Sequence, residues 1–189
     1  MKRAIGKLFI ISGTSQVGKS TIAKKVTKLK KLNLLKIITT TTRKRRPDDK
    51  VATYQFVNKK TFMSMIKAGK FLEWAKVHTD YYGTPRKKVL DALKRGKNVI
   101  LVIDVQGTAQ IKKIMPEAIT IFIKADSIIE LKRRIFNSTH IPDGQKSARW
   151  HSTIKELKAS KKYDYRVINY WGKLNRAVKD VEKVIIKHQ

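Results

Sequence analysis

The chain has 189 residues, enough for one domain with a buried core, and 41% are hydrophobic, which argues against wholesale disorder. It has no cysteine, so disulfides and thiolate metal sites are excluded, and no apolar stretch approaches the roughly 18 residues of a membrane span. Its 44 lysines and arginines against 14 acids give a formal net charge of +30. Such a charge attracts polyanions and predicts weak, salt-sensitive binding to nucleic acids. We expect a cytoplasmic protein.

The first predicted element is a strand that runs into a glycine-rich loop. Residues 8–11 form a short apolar run, and residues 13–20 satisfy G-x-x-x-x-G-K-[ST], the P-loop pattern. Its glycines permit a sharp turn and let backbone N–H groups approach phosphate oxygens, while Lys19 adds positive charge and Ser20 a hydroxyl for Mg²⁺. A helix is predicted over residues 20–30. We therefore predict a triphosphate-binding loop formed by Gly13, Thr14, Ser15, Gln16, Val17, Gly18, Lys19, Ser20 and Thr21.

The remaining predicted elements alternate between strands and helices. Apolar and β-branched runs predict strands at residues 36–42, 54–57, 71–77, 99–104, 118–123 and 165–168. Helical periodicity predicts helices at residues 59–68, 85–95, 127–136, 148–161 and from about 174. The polar stretch 137–147 is predicted as a loop, and DYYGTP at 80–85 as a turn. This alternation predicts an α/β protein with a parallel sheet.

A second anion site is indicated by two arginines after a predicted strand. The stretch TTTTRKRRPDD places Arg43 and Arg46 three residues apart. Two guanidinium groups can clamp a phosphate monoester through paired hydrogen bonds. The alternative is a basic surface turn in a basic protein, and the stretch by itself favours that alternative.

The chain resembles the guanylate kinase family over nearly its whole length. The matching segments, in family order, are GTSQVGKST, TTTTRKRRP, YQFV, FLEWAKVH, YYGTP, LVIDVQG, ELKRRI and YDYRVIN. The resemblance implies phosphoryl transfer from ATP to GMP, giving ADP and GDP, with Mg²⁺. It also implies one domain over residues 1–189, with a three-layer α/β/α P-loop core and a parallel sheet (1–38, 96–135 and 151–189), a small GMP-binding lobe (about 39–95) and a short lid (about 136–150).

The resemblance further implies roles for individual residues. The phosphate of GMP would be bound by Arg43, Arg46, Tyr54 and Tyr82. Its nucleoside would be contacted by Thr39, Glu73, Thr84 and Asp104. The catalytic positive charge would come from Lys19, Arg43, Arg134 and Arg149, the last two of which would belong to the lid. Mg²⁺ would be held, directly or through water, by Ser20 and Asp104.

The chemistry of guanine supports a base-reading role for Glu73. Guanine presents N1–H and an exocyclic amine side by side, and one carboxylate can accept both hydrogen bonds. Adenine would present an acceptor at N1, and a site left with unpaired buried groups rejects the wrong substrate strongly. A solvent-facing strand residue is the alternative. The large apolar residues around Glu73 in FLEWAKV, in a chain poor in acids, favour the functional role.

Four departures from the family pattern predict reduced activity. Gln16 stands at a usual P-loop glycine, which we expect to be tolerated if its backbone keeps a negative φ. Val102 replaces the first acid of the family's LDID, and Ser138 replaces a lid arginine that would neutralise transition-state charge. The connection before Tyr54 is one residue shorter than usual. Two alternatives therefore stay open: a nucleotide-binding protein without significant turnover, and a kinase for another nucleoside monophosphate or a phosphorylated sugar.

Overall fold

The computed structural model of the chain describes residues 5–45, 49, 54–77, 79–139 and 141–189. The strands of this part are β1 (Leu8–Gly13), β2 (Leu34–Lys36), β3 (Thr39–Thr41), β4 (Tyr54–Phe56), β5 (Phe71–Val77), β6 (Asp80–Pro85), β7 (Asn98–Val102), β8 (Ile119–Lys124) and β9 (Tyr165–Ile168). The α-helices are α1 (Lys19–Val26), α2 (Lys59–Lys67), α3 (Arg86–Lys94), α4 (Val105–Ile114), α5 (Ile128–Phe136), α6 (Asp143–Ala159) and α7 (Leu174–Lys187). None of the described helices is long and apolar enough to cross a membrane.

The core sheet is parallel and has the strand order β2-β7-β1-β8-β9. The central strand β1 lies between β7 and β8, with Phe9 opposite Ile100 on one side and Ile119 on the other. Every residue of β1 is buried, as its near-continuous apolar sequence predicts for a parallel strand covered on both faces. The predicted parallel α/β sheet is confirmed.

Helices cover both faces of the core sheet. On one face, Phe9 and Ile11 of β1 pack in a cluster to which α1, α5 and α7 contribute. On the other face, Leu8 and Ile10 pack in a second cluster with residues of α3 and α4. Successive strand residues point to opposite faces, so β1 supplies both clusters at once. The three-layer α/β/α core is therefore confirmed.

A second, four-stranded sheet has the order β4-β3-β6-β5 and mixes parallel and antiparallel pairs. The prediction of a turn at residues 80–85 was wrong, because that stretch is β6, which pairs with β5 from Val77–Asp80 up to Phe71–Pro85. Gly83 lets the Phe71 ring pack onto the strand, since a Cβ there would lie 2.7 Å from that ring. Long-range pairing thus outweighs a local composition typical of turns.

Three predicted boundaries also differ from the structure. Helix α1 ends at Val26, short of residue 30, and a separate 3₁₀ turn covers Lys30–Leu32. The single strand predicted at 36–42 is two strands, since β2 joins the core sheet and β3 joins the second sheet. Helix α6 begins at Asp143, inside the stretch predicted as a loop, and its polar sequence gives little apolar periodicity.

The second sheet is fastened to the core sheet next to α4. Strand β5 packs against α4, and the Gln110 side chain bonds both backbone groups of Trp74, accepting from the N–H at 3.3 Å and donating to the carbonyl at 2.7 Å. The loop after β1 and the residues after β7 lie together at the carboxyl ends of neighbouring parallel strands. A site assembled there receives side chains from both sheets.

Candidate active site

The loop between β1 and α1 has the backbone geometry of an anion-binding nest. Gly13 has φ 147° and approaches β8 so closely that a Cβ would lie 2.1 Å from the Ile123 carbonyl oxygen. Gly18, at φ 81°, is the N-cap of α1. Both glycines occupy backbone regions that a side chain disfavours, so the spacing of the motif reflects a steric requirement. The first N–H groups of α1 are thereby directed at the loop.

Lys19 folds back onto this loop. Its Nζ donates to the carbonyl oxygens of Gly13 at 2.7 Å and Thr14 at 2.6 Å. Burial lowers the pKa of Lys19, and the nearby carboxylates of Glu156 and Asp104 oppose that shift. The ammonium group is thus held by two neutral carbonyls that a phosphate could replace.

Gln16 adopts the left-handed backbone region, with φ 58°. We expected a side chain at position 16 to be tolerated if the backbone kept a negative φ, but the φ of Gln16 is positive. A residue with a Cβ pays roughly 1–2 kcal/mol for this conformation, which glycine adopts freely. Gln16 lines a cavity separate from the one that Glu73 lines.

A cavity of about 240 Å³, here called the acceptor cavity, lies between the P-loop, the second sheet and α6. It brings together most of the residues predicted to bind nucleotides. Some of them, such as Gly13 and Arg149, are more than one hundred residues apart in the sequence. Predicted site residues that line it are Gly13, Ser15, Lys19, Ser20, Thr39, Tyr54, Glu73, Tyr82, Asp104 and Arg149. Thr84 lies behind this surface, fully buried, and contacts Glu73.

Glu73 projects from β5 into the acceptor cavity and is only 4% exposed. One carboxylate oxygen, Oε1, accepts a hydrogen bond from Thr84 Oγ1 at 2.5 Å. Burial raises the pKa of Glu73 to about 7, the Asp104 carboxylate adds to the rise, and the Thr84 hydrogen bond opposes it. The solvent-facing alternative for Glu73 was wrong. Burying the charged carboxylate costs free energy, and a ligand that donates two hydrogen bonds could offset that cost.

Gly107 of α4 permits the close approach of Glu73 to that helix. A Cβ at Gly107 would lie 2.3 Å from Glu73 Oε2 and 3.4 Å from Asp104 Oδ1. The glycine therefore keeps the two carboxylates side by side. We did not single out Gly107 from the sequence, although it lies within the segment LVIDVQG.

Asp104 follows β7 and is the N-cap of α4, where Oδ1 accepts the Gly107 N–H at 2.8 Å. Burial raises the pKa of Asp104, while the Gly107 N–H and Lys19 oppose the rise. Its partner in the predicted magnesium site, Ser20, lines the same cavity. Among the described residues no three His, Cys, Asp or Glu side chains are grouped as a metal cage. The site therefore offers few protein oxygens and leaves room for phosphates. This suits Mg²⁺, which usually keeps several of its waters.

Arg43 follows β3 in the second sheet and, unlike its neighbour Tyr54, does not line the acceptor cavity. Its guanidinium group pairs with Asp49 at 2.8 Å and lies 5.3 Å from the centre of the Tyr54 ring. The Tyr54 and Tyr82 rings meet edge to face, with centroids 6.1 Å apart. Asp49 was missed in the sequence, where it is one acid in a charged stretch. Arg46, the second arginine of the predicted clamp, lies outside the described residues.

The two predicted lid arginines occupy different places. Arg149 of α6 lines the acceptor cavity with Lys19. Arg134 of α5 does not, because its Nε donates to Glu130 at 2.8 Å and its Nη2 to the Asn169 carbonyl oxygen at 3.0 Å. It lines the separate cavity that also includes Gln16 of the P-loop.

Glu156 of α6 is a cavity residue that sequence reasoning missed. It lines the acceptor cavity, and burial raises its pKa, with Lys19 opposing and Asp104 adding to the rise. Three of the chain's 14 acids, Glu73, Asp104 and Glu156, thus line the same cavity as Lys19, and the last two interact with its charge. In the sequence Glu156 is one acid on a lysine-rich helix, which is typical of a solvated face.

Comparison with known proteins agrees with this geometry. The family model described as "Guanylate kinase" matches residues 5–188. The chain is 39% identical over 181 residues to the guanylate kinase of Clostridium tetani, covering 95% of this chain and 85% of that protein. It is 38% identical over 170 residues to that of Thermus thermophilus, covering 89% and 75%. The crystal structure of guanylate kinase from Anaplasma phagocytophilum superposes with a TM-score of 0.82 at 27% identity, covering 100% of this chain and 89% of that chain.

Proposed function

The chain belongs to the guanylate kinase family, and we propose that it transfers the terminal phosphoryl group of ATP to the phosphate of GMP, giving ADP and GDP. The observation that carries the proposal is the meeting of Lys19 and the buried Glu73 carboxylate in one cavity. A phosphate-binding loop and a base-reading carboxylate are thereby available to two nucleotides placed phosphate to phosphate. Weak nucleic-acid binding and a cytoplasmic location stay predictions.

The donor triphosphate is assigned to the P-loop. Its backbone N–H groups would bind the β and γ phosphates, through residues 13–21. Lys19 would exchange its two carbonyl partners for phosphate oxygens, a stronger charge-assisted contact. The positive end of the α1 dipole adds to the attraction.

The acceptor nucleotide is assigned to the second sheet. Glu73 would accept the N1–H and the exocyclic amine of guanine, and the pKa of about 7 in the empty site would fall when those donors arrive. The described cavity residues Thr39, Tyr54 and Tyr82 support this assignment. Arg43 would bind the GMP phosphate, together with Arg46, by exchanging its pairing with Asp49.

For phosphoryl transfer, the protein must align the two nucleotides, supply positive charge and exclude water. We assign the charge to Lys19, Arg43 and Arg149, with Arg134 as a further donor-side cation. Ser20 and Asp104 would hold Mg²⁺, which when bound neutralises charge on the phosphate oxygens. Residues 136–150 are proposed as a lid that closes over both nucleotides and keeps water from competing for the phosphoryl group.

A protein that binds both nucleotides without significant turnover is the second candidate. Val102 lines the acceptor cavity close to Asp104 and supplies no oxygen there. Ser138 lines the cavity beyond the P-loop and supplies no positive charge. Both substitutions leave less charge compensation for the transition state, which is the basis for expecting reduced activity.

The proposal is tested by ADP production with GMP, AMP, CMP or UMP as the acceptor, in a coupled assay with ATP and Mg²⁺. We expect GMP to be preferred, and we expect Lys19→Ala to lower turnover on the order of 10³-fold by removing the phosphate cation. Lys28→Ala, which changes an exposed lysine shortly after α1, is the matched control and should be neutral. Absence of any GMP-dependent signal at high enzyme concentration would defeat the proposal, and tight binding of both nucleotides would then favour the second candidate.

A further inference from the structure

A second cavity of about 240 Å³ adjoins the P-loop at Gln16 and shares no lining residue with the acceptor cavity. We call it the donor cavity. Its lining includes Gln16 of the P-loop, Arg133 and Arg134 of α5, and Trp171 from the segment between β9 and α7. Because Gln16 belongs to both the loop and this cavity, the cavity adjoins the loop to which the triphosphate is assigned.

Trp171 is unusual because 64% of its surface is exposed although it lines a concave site. An exposed indole leaves a large apolar surface in water, a cost that a functional contact can offset. The guanidinium carbons of Arg133 and Arg134 lie 4.5 Å and 5.4 Å from the ring centre. These cation–π contacts hold the ring in the donor cavity.

The two arginines are themselves fixed in place. Glu130 pairs with Arg133 Nε and with Arg134 Nε, each at 2.8 Å. The Ser127 hydroxyl accepts the Glu130 N–H and caps the helix that carries all three side chains. The indole therefore rests on a preorganised ion-pair group and not on mobile surface arginines.

The segment that carries Trp171 is also tied to the P-loop. Asn169 Nδ2 donates to the Val17 carbonyl oxygen at 3.0 Å, and Arg134 Nη2 donates to the Asn169 carbonyl oxygen at 3.0 Å. Gly172, at φ 69°, turns the chain toward α7 directly after the tryptophan. The chain two residues before the indole is thus tied to both the P-loop and α5 by hydrogen bonds.

The two cavities offer different chemistry to a nucleobase. The acceptor cavity holds buried carboxylates that select a pattern of donors. None of the described lining residues of the donor cavity carries a carboxylate; they offer guanidinium groups, amides, hydroxyls and an indole. Stacking on an aromatic ring accepts any base, because every base has a π face.

We propose that Trp171, held by Arg133 and Arg134, is the stacking platform for the base of the donor nucleotide. This inference rests on the proposed function, which assigns the triphosphate to the P-loop. It follows that the contact with Trp171 discriminates weakly between adenine and guanine, because it uses the face of the base and not its edge.

The test compares a donor analogue that has a base with one that lacks it. Binding of AMP-PNP and of inorganic tripolyphosphate, each with Mg²⁺, is measured by calorimetry without GMP. We expect Trp171→Ala to raise the Kd of AMP-PNP and of GMP-PNP about tenfold. The Kd of tripolyphosphate should stay within about twofold, because the phosphate nest is unchanged. Trp171→Phe should keep most of the affinity, since phenylalanine can also stack.

Trp74→Ala is the matched control, because Trp74 is also partly exposed but lies on β5, away from the donor cavity. It should leave the binding of AMP-PNP unchanged. The inference is overturned if Trp171→Ala weakens tripolyphosphate as much as AMP-PNP, if it weakens neither, or if Trp171→Phe is as damaging as Trp171→Ala. Intact base-dependent binding without phosphoryl transfer would defeat the proposed function and leave the inference standing.

Discussion

The acceptor and donor cavities adjoin the same loop, have similar volumes, and differ in how their polar groups are arranged. In the acceptor cavity, Glu73 and Asp104 are packed against α4 so closely that only glycine fits at position 107. In the donor cavity, a largely exposed Trp171 lies against two arginines. Under the two proposals, the first arrangement would read the edge of a base by buried hydrogen bonds, whereas the second would accept its face. We therefore expect base selectivity to come mainly from the acceptor side.

Replacing Glu73 should produce the largest change that is confined to the acceptor cavity. Glu73→Gln keeps an acceptor for the Thr84 hydroxyl but opposes one guanine donor with an amide N–H. We expect kcat/KM for GMP to fall on the order of 10²–10³-fold while the Kd of AMP-PNP is unchanged. Steady-state kinetics with GMP and calorimetry with AMP-PNP measure the two effects.

The stability of Glu73→Gln distinguishes lost recognition from misfolding. A carboxyl group whose folded pKa is raised destabilises the fold increasingly as the pH rises from about 4.5 to about 7, and fully above that. Glu73→Gln removes this cost, so denaturation at pH 8 should show a more stable protein, by at most about 3 kcal/mol. The exposed Glu117→Gln is the control and should change neither property. A destabilised Glu73→Gln would contradict a net free-energy cost of burying this carboxylate.

The acceptor cavity should also show a pH dependence that the donor cavity lacks. Because the pKa of Glu73 is about 7, its carboxyl group is mostly protonated at lower pH. It must then lose that proton before it can accept both hydrogen bonds from guanine. The Kd of GMP should therefore rise about tenfold for each pH unit below 7, relative to Glu73→Gln, whose profile contains only the titration of the ligand. Equal profiles for the two proteins would show that Glu73 does not contact the base.

Adding a Cβ at position 107 should weaken GMP binding in the acceptor cavity, by less than the replacement of Glu73 does. In Gly107→Ala, the new Cβ would displace the Glu73 carboxylate, since they would lie 2.3 Å apart. We expect KM for GMP to rise about tenfold, with kcat changed less and AMP-PNP binding retained. Gly144→Ala is the matched control, because a Cβ at that position on α6 meets nothing within 4 Å. A rise in the Kd of AMP-PNP equal to the rise for GMP would indicate general distortion.

The smallest expected effect concerns the loop between the cavities. Gln16→Gly relieves a left-handed conformation at φ 58° but makes the unfolded chain more flexible. We expect the free energy of unfolding to rise by about 0.5–1 kcal/mol in urea denaturation. Asn33→Gly, at φ 46°, is the comparison and should gain less, because asparagine tolerates this region and its side chain accepts a hydrogen bond from Lys97. A destabilised Gln16→Gly would mean that the glutamine side chain contributes contacts that outweigh the strain.

Elements fixed by local patterns were predicted well from the sequence. Strand β5, strand β9 and helix α5 follow the predicted bounds closely, because alternation, apolar runs and a serine cap are local signals. At the start of α5 the Ser127 hydroxyl accepts the Glu130 N–H, but the Glu130 carboxylate binds two arginines and does not reach back to the Ser127 N–H as in a capping box. Competition between partners of this kind depends on the folded surroundings.

Other features depend on contacts between distant segments. Strand β6 has the composition of a turn and is a strand because β3 and β5 pair with it on both sides. Glu156 and Trp171 gave only weak signals, a helical acid among lysines and an aromatic residue among polar ones. Their positions beside Lys19 and Arg133 arise only when α6 and the segment after β9 fold against the P-loop.

The sequence by itself determined the phosphate nest, because the glycine spacing, the lysine and the flanking strand and helix act within some twenty residues of chain. It also determined the parallel core, since a strand that is apolar at every position must be buried on both faces. Only the tertiary structure decided that Glu73 is buried beside Asp104, that Gln16 is left-handed, and that the P-loop separates two unlike cavities. Burial, strain and enclosure are properties of packed neighbours, and no local pattern specifies which neighbours those are.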